Sequence, residues 1–310
     1  MRTLSSSAAV EGPVISRTRS ATMSGTASKV GTLLVQGPHR KGIVTSVSQV
    51  LNGHGATILD SNHYSDAPAK LFFQRLQFDV STLATDRVTL EKEFREICEN
   101  AGMSWRVWYA DRAKRVAILT SKQDHCLYDL LIRHRNRELA CDISMVISNH
   151  PDAGPIARHF NVPFHHLPVT TDTKARQEAA AAELIDRAGV DLIVLARYMQ
   201  ILSPAFVTRY PMRIINIHHS FLPAFVGGNA YRQAHEKGVK MIGATSHYVT
   251  AELDQGPIIE QSTVRCAHRD SVEDLTRKGR DLEKQVLAQA VRWHVEDRVL
   301  VYSGKTVVFD

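Results

Sequence analysis

Asn216, His218 and Asp254 are residues whose types and spacing could do chemistry together. Asn216 and His218 stand two apart in the apolar run "RIINIHH" (213–219), so on a β-strand their side chains leave the same face. Asp254 lies in "SHYVTAELDQGPII" (246–259), where His247 ends an apolar run and the Asp comes just before Gly256-Pro257. An amide, an imidazole and a carboxylate are what acyl transfer without a metal requires. A carbonyl under attack develops an oxyanion, and Asn216 with a protonated His218 can meet it as fixed donors. A proton must also leave the nucleophile and reach the departing nitrogen, a transfer that Asp254 and His218 can relay. A carboxylate beside the imidazole would favour its protonated form and hold its orientation. Taken singly, each residue has a plainer use. The first pair could satisfy the backbone of the next turn, and Asp before Gly-Pro is common turn chemistry.

The surrounding pattern supplies a scaffold. "VAILTS", "CDISMVISN", "FHHLPV", "DLIVLA" and "RIINI" are short, continuous apolar runs, and helical stretches at 124–136 and 174–188 alternate with them. Such runs imply a mostly parallel sheet covered by helices on both faces, of the Rossmann-like kind. Ligands bind beyond the carboxyl ends of strands in these sheets, where Asn216 and His218 fall. Two more strands follow after Gly238, then a helix over 270–297 and a hairpin turning at Ser303-Gly304. The charged face of that helix at 277–288 is expected to be solvated.

Upstream, residues 32–109 read β-α-β-β-α-β. The first helix carries Ile43, Val47, Val50 and Leu51 on one face; the second, over 86–101, carries Val88, Leu90, Phe94 and Ile97. That order is the split βαβ, ferredoxin-like arrangement. The expected organisation is a disordered tail at 1–28, a small α+β domain at 29–110, a linker at 111–115 and an α/β domain at 116–310. A chain of 310 residues is long enough for two such cores.

Composition narrows the function classes. The 44% hydrophobic and 23% charged content is that of a globular protein, and no apolar run approaches the ~20 residues of a membrane span. Half of the +6 net charge sits in residues 1–30, where Arg2, Arg17, Arg19 and Lys29 face Glu11. The remainder lacks a basic block with interleaved aromatics, so no nucleic-acid partner is expected. Cys98, Cys126, Cys141 and Cys266 are widely spaced and read as buried thiols in a reducing compartment. The cytoplasm is the expected location. An Arg- and Ser-rich, acid-poor start also resembles a mitochondrial transit peptide, unless Met23 is the natural first residue. Adjacent His165 and His166 would point to opposite faces of a strand and do not suit one metal ion.

"INIHHSFLP" together with "SHYVTAELDQGPII" closely resembles the folate-dependent formyltransferase domain, over roughly 113–300. The resemblance implies catalytic roles for Asn216, His218 and Asp254, and a supporting role for His247. It further implies a folate pocket formed by "LARYMQIL" (195–202) and the loop before the Asp, with Met199, Gln200, Ile201, Leu202 and Thr250 touching the substrate. Core packing is the plainer use of Met199 and Leu202. The loop after the first strand of this domain, "TSKQDHC", lacks the glycines of a phosphate cradle.

The upstream unit resembles an ACT domain, a small-ligand regulatory module. ACT plus formyltransferase domain resembles the formyltetrahydrofolate deformylase family from Thr32 onward, including "MVISNHPD", "VLARYMQILSP" and "AVRWHVEDRVLV". This implies hydrolysis of 10-formyltetrahydrofolate to tetrahydrofolate and formate, with folate as substrate and neither a separate cofactor nor a metal. It implies a glycine or methionine effector near His39, Gly42 and Ile43, and a homo-oligomer. Two departures stand out. Gly228 and Ala230 replace the family's Ala and Pro, and His39 replaces an Asp in "PHRKGIV". Formyl transfer to an amine, or amino-acid sensing with an inactive second domain, are the competing readings.

Overall fold

The computed structural model describes residues 29–224 and 230–310. The expected tail at 1–28 and the Gly228 departure lie outside those residues.

The first unit consists of β1 (Val30–Pro38), α1 (Ile43–Gly53), β2 (Thr57–Asp66), β3 (Leu71–Asp79), α2 (Arg87–Ala101) and β4 (Ser104–Tyr109). Its antiparallel sheet runs β2-β3-β1-β4, the order that a βαββαβ chain gives. The three- and four-residue spacing of Ile43, Val47, Val50 and Leu51 puts all four side chains under the sheet. α2 starts where the Asp86 carboxylate accepts from the Thr89 N–H, and ends at Gly102 in the left-handed region. Leu90, Phe94 and Cys98 are its buried face. Val88, expected on that face, is 79% exposed instead. It precedes Leu90 by two residues, about 200° around the helix, and so points away.

The second unit contains β5 (Lys114–Thr120), α3 (His125–Arg135), β6 (Cys141–Ser148), α4 (Ala153–His159), β7 (Phe164–His166), α5 (Lys174–Arg187) and β8 (Leu192–Ala196). α6 (Pro204–Arg209), β9 (Ile214–His218), α7 (Ala230–Glu236), β10 (Met241–Tyr248), β11 (Ile258–Arg265) and α8 (Val272–Val295) follow. The seven-stranded sheet runs β11-β10-β9-β8-β5-β6-β7. β5 to β9 pair in parallel, whereas β10 and β11 are antiparallel additions at one edge. The continuous apolar strands serve two cores. Ile118, Val194 and Ile215 face α3 and α8, while Leu119, Ile193 and Ile214 face α5 and α6. Of the four thiols expected to be buried, Cys141 is only half-buried. No helix among the described residues is long and apolar enough to cross a membrane.

The two units are joined more closely than the linker expected at 111–115 implies. β5 already begins at Lys114, whose ammonium is buried and donates to the Val295 carbonyl and the Asp297 carboxylate. Arg75 of β3, 2% exposed, donates to the carbonyls of Asp297 and Glu296. Both cations therefore sit at the carboxyl end of α8, where unpaired carbonyls and the helix dipole favour positive charge. The closing hairpin, β12 (Val299–Tyr302) and β13 (Lys305–Val308), packs on the first sheet. There Leu300 and Phe309 meet Leu34 and Phe73.

Candidate active site

β9 and β10 run antiparallel with His247 opposite Asn216, so these two side chains share a face. Asn216 Nδ2 lies 3.3 Å from His247 Nε2. On the other side of that ring, His247 Nδ1 lies 2.9 Å from the Tyr248 carbonyl oxygen. A carbonyl can only accept, so Nδ1 carries the proton and Nε2 is left to accept from the Asn216 amide.

Asp254 closes the group. Its carboxylate oxygens stand 3.3 Å from His218 Nδ1 and 3.6 Å from His247 Nε2. The hydrogen bond with His218, more than the neighbouring His247 ring, holds the Asp254 carboxyl far below the usual carboxylate range despite partial burial. With Nδ1 committed to Asp254, His218 Nε2 is buried with no hydrogen-bond partner among the described residues. That nitrogen is the one left for a reacting molecule.

Backbone geometry brings Asp254 back to the strand ends. It adopts a left-handed φ of 56°, which Asp tolerates better than most residues. The following turn is pinned where Tyr248 N–H donates to the Pro257 carbonyl. The bend after β9 is tied to β10 as well: Thr245 Oγ1 donates to the Ser220 carbonyl and accepts from the Leu222 N–H. The polar pair at the end of β9 thus leads into a turn whose backbone is satisfied by Thr245, leaving Asn216 and His218 free for other partners.

A cavity of about 290 Å³ opens in front of this group, lined by Met199, Gln200, Ile201, Leu202 and Thr250 as well as Asn216, His218, His247 and Asp254. The structure brings all nine residues together. The loop after β8 is held by Ser121, which accepts from Met199 N–H and donates to Asn149 Oδ1, linking the ends of three strands. Met199 is 53% exposed and Ile201 60%, so core packing does not explain them. Leu202 does pack partly against the core. An apolar mouth around convergent polar groups is what an organic ligand needs.

His165 and His166 do not line this cavity. In the first unit, Gly42 has a φ of 86° before α1, Ile43 is buried, and exposed His39 contacts Ser65 Oγ at 3.2 Å.

One cluster escaped sequence reasoning. The α8 face expected to be solvated carries Glu283, whose side chain is 1% exposed. Its carboxylate accepts from Tyr231 Oη at 2.6 Å and meets His125 Nε2 at 2.7 Å and Arg197 Nε at 3.4 Å. Burial alone would raise its pKa; the His125 bond, the Arg197 charge and the Tyr231 bond outweigh that and lower it. The available signal was Glu283's place between Leu282 and Val286 at the margin of the apolar stripe. His125, Cys126 and Glu283 have ligand atoms within reach of one ion. The Arg197 guanidinium beside that carboxylate disfavours a cation there.

With the geometry in place, comparison with known proteins is direct. Residues 114–291 match the Formyl transferase family model. The chain is 49% identical over 281 residues to the formyltetrahydrofolate deformylase of Bacillus subtilis, covering 90% of this chain and 94% of the relative. The chain belongs to the formyltetrahydrofolate deformylase family. The Escherichia coli member is 38% identical, covering 87% of this chain and 95% of its own. A solved deformylase from Pseudomonas syringae superposes with a TM-score of 0.90 at 46% identity, over 93% of this chain and 96% of that one. A glycinamide ribonucleotide transformylase from Symbiobacterium toebii has a TM-score of 0.61 and covers only 64% of this chain. The deformylase likeness therefore extends through the small first unit, whereas the transformylase likeness leaves about a third of the chain unmatched.

Proposed function

We propose that this protein hydrolyses 10-formyltetrahydrofolate to tetrahydrofolate and formate at the Asn216–His218–Asp254 group. The observation that carries this reading is the buried, unpartnered Nε2 of His218, a residue that lines an apolar-mouthed cavity, with Asp254 on the opposite ring nitrogen. The pterin enters between Met199, Ile201 and the 249–254 loop. Its formyl carbon comes to rest against Asn216 and His218.

Water attacks that carbon. The oxyanion that forms accepts from the Asn216 amide and from a protonated His218 Nε2. A carboxylate held so far below its usual range is a weak proton acceptor, so Asp254 chiefly orients the water and stabilises the His218 imidazolium. As the bond between carbon and nitrogen breaks, His218 passes its proton to the nitrogen and is reprotonated from the hydrated carbon. Across the whole reaction the water oxygen becomes the second oxygen of formate. One proton ends on the amine and one is released to solvent.

The test is to mix purified protein with 10-formyltetrahydrofolate in buffer and follow formate. Formate and tetrahydrofolate should appear in equal amounts without any added amine, and Asp254→Ala should abolish both. Turnover that begins only when an amine is supplied would make the protein a transferase.

The same reading gives the first unit a regulatory role, with glycine or methionine bound near the turn at His39 and Gly42. Since Ile43 is buried, only its backbone could take part. It also makes the protein a homo-oligomer joined along β2. That edge strand is supported as an interface by Ile58, Leu59 and Tyr64, all left exposed. Sedimentation of Leu59→Lys as a smaller species than the parent would support this; an unchanged mass would refute it.

A further inference from the structure

A second cavity adjoins the one at the reaction centre, and Arg197 and His219 form part of the walls of both. It measures about 220 Å³, and its polar lining includes Gln123, Tyr231, Thr276 and Glu283, together with exposed Arg232 and Arg280. Glu283 does not make it acidic, because Tyr231, His125 and Arg197 already satisfy that carboxylate. Arg232 and Arg280 have no hydrogen-bond or ion-pair partner among the described residues. Two uncommitted guanidiniums give the cavity a positive field. The ring of His219 bridges the two cavities, 5.1 Å from the His218 ring and 5.9 Å from that of Tyr231.

We propose that this second cavity is a carboxylate-anion site that receives formate as it leaves the reaction centre. The inference rests on the deformylase reading. Hydrolysis produces a small anion next to ionised Asp254, which repels it. The front exit is filled by the pterin, held between Met199, Ile201 and Leu253, all of which line the front cavity. Guanidinium groups pair with a carboxylate through two parallel hydrogen bonds, so Arg232 and Arg280 draw formate past His219 and out to solvent. Water can enter by the same route while folate is bound.

The experiment compares the full chain with the double variant Arg232→Ala/Arg280→Ala, using sodium formate as probe and tetrahydrofolate to fill the front cavity. Saturation-transfer NMR on the formate proton should show binding to the parent protein with tetrahydrofolate present. In the double variant formate affinity should fall at least about tenfold, the loss of one or more charge-assisted hydrogen bonds. In turnover assays formate should inhibit the parent without competing with folate. The variant should resist that inhibition while keeping the parent's KM for folate and its single-turnover rate. Equal formate affinity in the two proteins, no formate binding to the parent, or displacement of formate by tetrahydrofolate would each overturn the proposal. Failure of the parent protein to release formate from 10-formyltetrahydrofolate is a separate result, and it would sink the proposed reaction itself.

Discussion

Gly256 passes so close to Tyr248 that a Cβ at position 256 would stand 1.7 Å from the Tyr248 carbonyl oxygen. That same oxygen accepts from His247 Nδ1, and Gly256 is two residues from Asp254. One crowded point therefore fixes both the tautomer of His247 and the path of the loop that carries the carboxylate. The obstacle is backbone, so an added methyl group can be accommodated only by moving the loop.

Gly256→Ala should accordingly lower kcat by at least about tenfold, since small misplacement of a catalytic group is costly. The variant should still fold, because although Gly256 is buried, residues 251–253 and 255 of the same loop are exposed and leave it room to move. Steady-state kinetics together with a circular dichroism melt would show this. Parental kcat in the alanine variant would mean that the close approach does not position Asp254.

Asp254→Asn preserves the shape of the side chain and removes its charge. Formate release should fall by roughly 10²- to 10³-fold, the usual loss when one preorganised electrostatic partner of the reacting group is removed. The pH dependence of stability follows from the lowered pKa. The folded-state value lies below the ordinary ~3.9 of an unfolded Asp, so the ionised group stabilises the fold above about pH 4. That contribution disappears as the pH falls through the folded value. Urea titrations should therefore find the Asn variant less stable than the parent at pH 7, with the difference shrinking as the pH is lowered below 3. A constant difference would argue against the carboxylate-imidazole bonds as its source.

How much of this was legible beforehand depended on the range of each interaction. The spacing of Asn216 and His218 marks a shared strand face, and the apolar steps of α1 mark a buried helix face. Both are local periodicities, and the structure places those side chains accordingly. The meeting of Asp254 with His218 was expected from the chemistry of the residue types and from likeness to a family, not from spacing, because the register of β10 against β9 makes that contact. Glu283, Arg197 and His125 were out of reach for the same reason, being drawn from α8, the end of β8 and the start of α3. The buried cations Arg75 and Lys114 were further still from view. Charged residues are expected at the surface, and their partners are carbonyls at 295–297 that no sequence pattern singles out.

The mouth of the front cavity offers a cleaner separation of binding from chemistry. Ile201 is 60% exposed at the wall of this cavity, so replacing it should leave the fold intact. If the pterin buries this side chain, Ile201→Asp should raise KM for the folate about tenfold or more, the worth of one buried aliphatic group. kcat should stay within about twofold. Initial-rate measurements over a range of folate concentrations distinguish the cases, and an unaltered KM would place the pterin elsewhere.

The junction between the two units makes a prediction about stability alone. Arg75 is almost wholly buried, and its guanidinium donates to the carbonyls of Glu296 and Asp297 just beyond α8, and to Asp60 at 3.1 Å. Truncation to alanine leaves those two carbonyls without their donor and removes a cation from the negative end of a 24-residue helix. The cost should be about 3 kcal/mol, in the range found when one partner of a buried charged network is deleted. Urea unfolding at neutral pH would show it as a lower midpoint with an unchanged slope. Val88→Ala, at a solvent-facing position in the same unit, serves as the control and should change stability by no more than about 0.5 kcal/mol. Because the front cavity lies at the opposite end of the sheet from this helix terminus, Arg75→Ala should keep the parental KM for folate under conditions where it is folded. A variant as stable as the parent would mean that the carbonyls find other donors and that the hairpin packing of Leu300 and Phe309 holds the units together by itself.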